Sequence, residues 1–180
     1  MLEKIKKLFH QLFISTLQYS GPNMEVSILL GSKSDLPICN KCTNILDQFK
    51  INYEVRIASA HRSPKHVENV VSNALNSGVS VFITMAGLAA ALPGAVAALT
   101  TKPVIGVPCG GKVPFDSLLS IAQLPPGVPA ACVGVDRGDN AGLLAVQILA
   151  LSNPELAKSL NQHKINQAEK VLNDDKELQG

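Results

Sequence analysis

This chain contains five short, mainly aliphatic runs, and consecutive runs are separated by enough residues to form a helix. They occupy residues 26–30, 53–58, 79–85, 104–107 and 131–135. A run this short and apolar is typical of a strand that a sheet buries on both faces, and such sheets are usually parallel. Because parallel neighbours need a long crossover connection, the segments between the runs decide the fold class.

Those segments carry helical signals. Pro64 and Pro93 stand where a helix favours proline in its first turn, and Asn140 is predicted to cap a later helix. Six helices are predicted. The first ends at about residue 49, the second begins at 64, and the third runs from 93 to about 99. The fourth covers 117–122, the fifth runs from 140 to about 151, and the sixth begins at 154. The alternation predicts an α/β fold, a flavodoxin-like three-layer sandwich. We expect a five-stranded parallel sheet in the order 2-1-3-4-5 and a polar C-terminal helix that projects from the core.

Length and composition agree with one globular domain. The chain has 180 residues, of which 46% are hydrophobic and only 4% aromatic. This content is ample for one packed core. Residues 24–180 carry 13 basic and 13 acidic side chains, so we expect no nucleic-acid partner. No apolar run approaches the ~20 residues that span a bilayer.

The first 23 residues differ from the rest. Lysines separate apolar residues at helical spacing, which are Leu2, Ile5, Leu8, Phe9, Leu12 and Phe13. One interpretation is an amphipathic helix that contacts a membrane or a partner. The favoured one is a flexible leader of no structural consequence, because Met24 directly precedes the first strand. The predicted organisation is therefore a leader, 1–23, and a single domain, 24–180.

Four cysteines stand at positions 39, 42, 109 and 132. The spacing of Cys39 and Cys42 occurs in redox and metal sites, but a zinc site needs a second pair of ligands. A redox pair would lie at the exposed start of a helix, whereas Asp35 and Pro37 predict an earlier start. We therefore expect free, buried thiols and no metal, and the sequence leaves a redox role of Cys39 and Cys42 open.

Two polar clusters follow the first two strands directly. They read Gly31-Ser-Lys-Ser-Asp35 and Ser59-Ala-His-Arg-Ser-Pro64. Loops at the carboxyl ends of neighbouring parallel strands converge on one crevice, so the clusters describe a single site. We interpret its imidazole, guanidinium, carboxylate and hydroxyls as a proton-transfer centre beside a phosphate anchor. No Walker or Gly-x-Gly-x-x-Gly sequence is present, so neither a nucleoside triphosphate nor NAD is supported.

Each element also has a plainer interpretation. Residues 31–35 could form only a capped strand-to-helix turn, although such a turn still presents N–H groups to an anion. His61 alone is compatible with a surface or structural histidine, and its place at a strand end favours chemistry. His66 and His163 lie in polar helical contexts, and we predict both to be solvated. The small residues of 86–94 permit close approach of either a ligand or another backbone.

These motifs and two later ones resemble one enzyme family. The motifs are Gly31-Ser-Lys-Ser-Asp35, Ser59-Ala-His-Arg-Ser-Pro64, Ala86-Gly-Leu-Ala-Ala-Ala-Leu-Pro-Gly94, Asp116-Ser-Leu-Leu-Ser-Ile-Ala-Gln-Leu-Pro125 and Asn140-Ala-Gly-Leu-Leu-Ala145. In this order they are similar to 5-(carboxyamino)imidazole ribonucleotide mutase of purine biosynthesis, the class I phosphoribosylaminoimidazole carboxylase catalytic subunit family. The similarity runs from about Glu25 to Leu160. The residues alone indicate only a phosphate-binding α/β enzyme.

The resemblance implies a reaction without cofactor or metal. A carboxyl group moves from the exocyclic nitrogen of an aminoimidazole ribonucleotide to the neighbouring ring carbon, by decarboxylation and recarboxylation. His61 is implied as the proton carrier. The implied substrate-binding residues are Ser32, Asp35, Ser59, Arg62 and Gly87. Of these, Arg62 suits the phosphate and Asp35 a ribose hydroxyl, and the 109–115 loop is the implied lid.

The resemblance also implies the setting of the reaction. Family members assemble as homo-octamers, and we expect a cytoplasmic enzyme whose other partner is the small ribonucleotide, with no membrane required. The apolar segment 90–98 is a candidate contact surface between subunits.

Two departures from the family pattern fall at the implied site. Ala91 stands where the family usually has histidine, and the 109–115 loop is shorter than usual. Two alternatives stay open, of which the second follows from these departures. One is a carboxylase that takes free carbon dioxide and aminoimidazole ribonucleotide directly, against which Leu92-Pro93-Gly94 favours the mutase. The other is a homologue that binds the ribonucleotide with impaired catalysis.

Overall fold

The computed structural model of the protein describes residues 24–111 and 113–179. The predicted leader, 1–23, lies outside the described residues, as does Lys112 in the predicted lid.

Five strands alternate with helices, as the sequence predicts. The strands are β1 (Val26–Leu30), β2 (Tyr53–Ile57), β3 (Val81–Gly87), β4 (Val104–Cys109) and β5 (Ala131–Cys132). The helices are α1 (Leu36–Gln48), α2 (Pro64–Asn76), α3 (Leu92–Ala97), α4 (Pro114–Ala122), α5 (Gly138–Ala150) and α6 (Pro154–Gln179). The strands form one parallel sheet in the order β2-β1-β3-β4-β5, so the predicted topology is confirmed.

Apolar side chains fill a core on each face of the sheet. On one face, α1, α5 and α6 pack through a cluster that includes Ile28, Leu46, Ile83, Val107 and Val146. On the other face, α2, α3 and α4 pack through Leu29, Val71, Phe82, Val96 and Ile121. Full burial of each such side chain contributes about 1.5–3 kcal/mol. These two clusters explain why the strands read as continuous apolar runs, and they confirm the three-layer sandwich.

Four strands differ from the predicted ones at their boundaries. β2 ends one residue earlier, at Ile57, while β3 and β4 end two residues later, at Gly87 and Cys109. Two further differences have a structural cause. The fifth predicted strand, 131–135, is reduced to two residues because the chain turns at Gly134 (φ +101°) and Asp136 (φ +58°). The third predicted strand begins two residues late. The Val79 N–H donates to the Ala74 carbonyl at 3.1 Å, so Val79 still completes the end of α2.

The predicted cap of α5 is wrong. The helix begins at Gly138, so Asn140 lies within its first turn. The Asp139 carboxylate accepts a hydrogen bond from the Asn140 N–H at 2.9 Å and pairs with the Arg137 guanidinium at 2.8 Å. An aspartate in the first turn therefore accepts from one of the free N–H groups of the helix that the asparagine was predicted to cap. Helix α4 likewise starts early, at Pro114.

The cysteines lie mainly in the core. Cys39, Cys42 and Cys109 are buried, Cys132 is half-buried, and all four are free. Burial raises the pKa of the Cys39 thiol to about 11, which keeps it protonated and unreactive at neutral pH. Across residues 24–111 and 113–179, no group of three or more His, Cys, Asp or Glu side chains is placed to hold a metal ion.

Helix α6 leaves the core gradually. Leu156 is buried and Leu160 packs against the same cluster, so the next turn stays close to the end of α1. There the His163 ring packs on Phe49, with ring centroids 5.5 Å apart. The prediction of a solvated His163 is wrong for this reason, whereas His66 is exposed as expected. Residues 164–179 are all exposed, which confirms the projecting helix, and no described helix has the length and apolarity to cross a membrane.

Gly138 sets how closely α5 approaches α1, and replacing it should destabilise the protein. A Cβ at this position would overlap the carbonyl oxygen of Ile38, and backbone cannot yield as a side chain does. Overpacking costs roughly 1–3 kcal/mol, and we expect Gly138→Ala to lower the free energy of unfolding by at least this amount. Asn140 is exposed, so Asn140→Ala should change the free energy of unfolding by less than about 0.5 kcal/mol. Urea unfolding of both variants makes the comparison, and equal losses would contradict this account of the contact.

Candidate active site

The carboxyl ends of four strands meet at one edge of the sheet. Leu30 pairs with Ile57 on one side and with Met85 on the other, and Gly87 pairs with Cys109. The polar clusters that follow β1 and β2 are therefore neighbours.

A cleft of about 510 Å³ opens at this edge, and we call it the reaction cleft. It is lined by every site residue that the sequence predicts, which are Ser32, Asp35, Ser59, His61, Arg62 and Gly87. Ala91 lines it as well. Other members of the lining belong to the same three motifs but were not predicted individually as site residues, and these are Ser34, Ala60, Leu88, Ala89 and Leu92. The volume falls within the range of small-molecule sites, roughly 300–1,000 Å³.

The first polar cluster folds into a single turn of 3₁₀-helix, Lys33–Asp35, between β1 and α1. The Asp35 carboxylate accepts a hydrogen bond from the Ser32 N–H at 2.9 Å, and the Ser32 hydroxyl accepts one from the Ser34 N–H at 3.4 Å. The interpretation as a capped turn is thus correct. It does not compete with a binding role, because the same turn presents Ser32 and Asp35 to the cleft.

The second polar cluster fixes the guanidinium of Arg62. The Ser59 hydroxyl accepts hydrogen bonds from the Arg62 N–H at 3.3 Å and from Nε at 3.1 Å. Arg62 Nη2 donates to the Gly31 carbonyl at 2.8 Å, which ties the two clusters together. A guanidinium has five N–H donors, so these bonds leave capacity for an anion.

His61 lies between these anchored residues on a closed turn. The Ser63 N–H donates to the Ser59 carbonyl at 2.8 Å, and the Ser63 hydroxyl donates to the same oxygen at 3.2 Å. Pro64 then starts α2. The backbone around His61 is therefore fixed while its imidazole is exposed at the cleft. An imidazole has two ring nitrogens, so this side chain can both donate and accept a hydrogen bond at the cleft.

The small residues from Gly87 onward have two separate explanations. A Cβ at Gly87 would lie 3.3 Å from the carbonyl oxygen of Cys109, so a larger residue there would require β3 and β4 to shift by a few tenths of an ångström. Ala90 is buried in the core. Ala91, in contrast, is exposed and lines the reaction cleft.

A second cleft of about 430 Å³ adjoins the reaction cleft. The two share four residues, which are Ser34, Asp35, Gly87 and Leu88. Its other side includes Lys41 and Asp136, both missed by sequence reasoning. Asp136 follows β5 closely, so the rule that found the first two clusters could have found it. Lys41 carries no such signal.

Asp136 anchors the loop that follows β4. Its carboxylate accepts from the Gly110 N–H at 2.8 Å, and its own N–H donates to the Pro108 carbonyl at 2.9 Å. Lys41 Nζ donates to the Asp136 carbonyl at 3.2 Å. Cys109 belongs to β4 and Phe115 to α4, so the irregular part of the predicted 109–115 lid is shorter than expected.

Asp35 is only 7% exposed. Two opposing effects act on the pKa of its carboxyl group, which are burial and favourable contacts of the charged form. Burial raises its pKa above the ordinary 3.8, while hydrogen bonds from Ser32 and Ser34 and the charge of Arg62 act against that rise. The folded state then holds this proton more tightly than the unfolded state. The resulting stabilisation is complete below pH 3.8 and is lost as the pH rises through the raised pKa.

Asp35→Asn removes this titration, and its effect on stability should depend on pH. We expect the melting temperature of the variant, relative to that of the native protein, to rise from pH 4 until the raised pKa is passed and then to level off. Thermal unfolding followed across pH 4–8 measures the difference. A relative melting temperature that falls with pH would mean that the hydrogen bonds and Arg62 outweigh burial.

Comparison with known proteins decides the family. The family model described as AIR carboxylase matches residues 25–170. The chain belongs to the AIR carboxylase family. The similarity predicted from the motifs, with its start at about Glu25, is thereby confirmed.

Relatives in this family carry two kinds of name. N5-carboxyaminoimidazole ribonucleotide mutase of Methanocaldococcus jannaschii is 51% identical over 154 residues, which are 85% of this chain and 96% of that protein. Phosphoribosylaminoimidazole carboxylase of Candida glabrata is 44% identical over 149 residues, 82% of this chain but only 26% of that protein. The crystal structure of Treponema denticola PurE matches with a TM-score of 0.77 at 33% identity, covering 85% of this chain and 97% of that one.

Proposed function

We propose that this protein is an N5-carboxyaminoimidazole ribonucleotide mutase. It converts 5-(carboxyamino)imidazole ribonucleotide to 5-amino-4-imidazolecarboxylate ribonucleotide in purine biosynthesis. The observation that carries the proposal is one cleft, at the strand ends of a member of this family, that combines an exposed imidazole, an anchored guanidinium and a buried carboxylate. The mutase of Methanocaldococcus jannaschii, 96% of which is matched by this chain, supports the assignment.

The anchored guanidinium is the phosphate end of the site. Arg62 is held by Ser59 and Gly31, so it meets the phosphate without first losing the freedom of a long side chain. Ser32 follows Gly31 directly in the chain and lines the same cleft. The Asp35 carboxylate accepts a hydrogen bond from a ribose hydroxyl. Ser59 and Gly87 line the pocket for the base.

His61 carries the proton in two steps. The bond between the exocyclic nitrogen and the carboxylate carbon breaks, carbon dioxide forms, and the nitrogen receives a proton from the protonated imidazole. The ring carbon then attacks the carbon dioxide and forms the new bond, and the neutral imidazole removes the proton from that carbon. The catalyst is thus regenerated, and one residue in both roles requires a group that titrates near neutral pH. The 109–115 lid keeps water out meanwhile.

A second candidate function is supported by the carboxylase name of the Candida glabrata relative. The enzyme would then bind aminoimidazole ribonucleotide and take up free carbon dioxide. One assay separates the functions. Turnover of the carboxyamino substrate without bicarbonate supports the mutase, and product from aminoimidazole ribonucleotide only with bicarbonate supports the carboxylase. Binding with neither activity supports a catalytically impaired homologue.

The enzyme is further proposed to act as a homo-octamer in the cytoplasm. Part of the predicted contact segment 90–98 is committed to the subunit's own core, since Leu92, Pro93 and Val96 are buried. Helix α4 offers a better contact, because Phe115 and Leu119 lie one turn apart and are 70% and 51% exposed. Light scattering after size-exclusion chromatography measures the subunit number. The free thiols agree with a reducing compartment.

Removing the leader should leave the enzyme intact. The Glu25 and Val26 N–H groups both donate to the Asn52 carbonyl, at 3.0 and 3.2 Å, so the sheet fixes the chain from its first strand onward. A chain that begins at Met24 should therefore fold, assemble and turn over like the full-length protein. Comparing kcat and elution volume of the two proteins checks this, and loss of assembly would show that residues 1–23 belong to the oligomer.

A further inference from the structure

Leu88 combines two features that are unfavourable in the free protein. Its side chain is 69% exposed, and its backbone has φ +55°, in the left-handed region that residues with a Cβ adopt at a cost. The other non-glycine residues with positive φ in the described part of the chain are Lys50 and Asp136. Lys50 follows the end of α1, where this conformation is common, and Asp136 is held by the Gly110 N–H. Neither explanation applies to Leu88.

The backbone on both sides of Leu88 is fixed by packing. Gly87 is the last residue of β3 and pairs with Cys109 of β4 in the sheet. The Ala90 N–H donates to the Leu88 carbonyl at 2.8 Å, and Ala90 is buried. The structure therefore maintains a strained, exposed leucine, and strain that the surroundings maintain is typical of functional sites.

Leu88 stands at the boundary between the two clefts. It lines both of them together with Asp35 and Gly87, whereas Arg62 and His61 line only the reaction cleft. With the phosphate at Arg62 and the ribose at Asp35, the part of the ligand that reaches this boundary is the nucleoside. An apolar side chain there can bury against the sugar and base and close the path to the second cleft.

We propose that Leu88 is a specificity-determining residue that covers the nucleoside part of the bound ribonucleotide and separates the reaction cleft from the second cleft. The inference rests on the proposed function. It gives the exposed leucine a partner, because its apolar surface becomes buried when the ligand binds. The separation of the two clefts also has a function, because carbon dioxide released beside His61 must stay in the reaction cleft until the ring carbon attacks it.

The test compares Leu88→Gly and Leu88→Ala with the full-length native enzyme. Both variants remove the covering atoms, and glycine also removes the backbone strain. We expect each to raise KM for the carboxyamino substrate about tenfold, which corresponds to losing part of a buried leucine. We also expect free aminoimidazole ribonucleotide to accumulate, because carbon dioxide escapes after the nitrogen is protonated. Inhibition by inorganic phosphate, which has no nucleoside part, should stay unchanged.

Three comparisons separate this role from a structural one. The melting temperature of Leu88→Gly should not fall, because glycine relieves the backbone strain. Affinity for the substrate should therefore be lost without a loss of stability. Leu88→Met, which retains apolar bulk, should recover most of the lost affinity. Leu151→Ala, which truncates an exposed leucine outside both clefts, should leave KM unchanged.

Several results would overturn the inference. Native KM and no released aminoimidazole ribonucleotide in Leu88→Gly and Leu88→Ala would reject it while the mutase assignment stands. Smaller oligomers with native KM would identify Leu88 as a subunit contact. If the native protein neither binds nor converts the ribonucleotide, the proposed function fails, and the covering role fails with it.

Discussion

Replacing His61 with asparagine should lower kcat by about 10²–10⁴-fold, the usual contribution of a general acid–base group, while the ribonucleotide still binds. The structure favours this separation of effects. His61 is exposed, and the turn that carries it is held by Ser59 and Ser63 rather than by the imidazole. Asparagine can therefore occupy the position without moving Arg62, which retains its bonds to Ser59 and Gly31.

Steady-state kinetics and calorimetric titration with the product ribonucleotide measure the two quantities. His66→Asn is the matched control, because His66 is also exposed, lies on α2 and does not line the reaction cleft. It should keep native turnover and affinity. Near-native turnover in His61→Asn would remove His61 from the mechanism. Equal losses in both variants would point to a general disturbance of the turn and α2.

The sequence predicts the fold and the location of the site because both depend on regular patterns. Apolar runs bounded by helical segments determine a parallel sheet, and parallel strands bring their carboxyl ends to one edge. The residues after β1 and β2 can therefore be assigned to one site from their positions along the chain. Ser32 and His61, separated by a strand and a helix in the sequence, do line the same cleft.

Features that depend on individual packing contacts could not be predicted in this way. Asparagine is a residue type that often caps helices, but α5 begins two residues before Asn140. It begins at Gly138, where a Cβ would overlap the carbonyl oxygen of Ile38. His163 has polar neighbours in sequence, but Leu156 holds its helix against the core. The left-handed backbone of Leu88 is also invisible, because a leucine carries no signal for that conformation. Each result follows from contacts between elements that the sequence does not place relative to each other.

Introducing histidine at position 91 should raise turnover about ten- to hundredfold, with little change in phosphate affinity. The family pattern has histidine there, and such a group would orient the migrating carboxylate without itself transferring the proton. A hydrogen bond to a charged group contributes about 1.5–3 kcal/mol, which gives this range. The native backbone can accept the change. Ala91 is exposed at the cleft, has helical φ and ψ of −72° and −20°, and its carbonyl accepts from the Ala95 N–H at 2.9 Å.

Kinetics of Ala91→His beside Ala98→His decide whether an orienting group is missing. Ala98 is also exposed and follows the same short helix, but it does not line either cleft, so histidine there should leave kcat unchanged. A gain confined to Ala91→His means that the native enzyme has the chemistry of His61 but holds the carboxylate poorly. If Ala91→His stays inactive while the ribonucleotide still binds, the orienting role is wrong and the impaired homologue is favoured. If the native protein already matches Ala91→His, another donor holds the carboxylate. Lys112, outside the described residues, should then be replaced first, because it is the one charged residue in the 109–115 sequence.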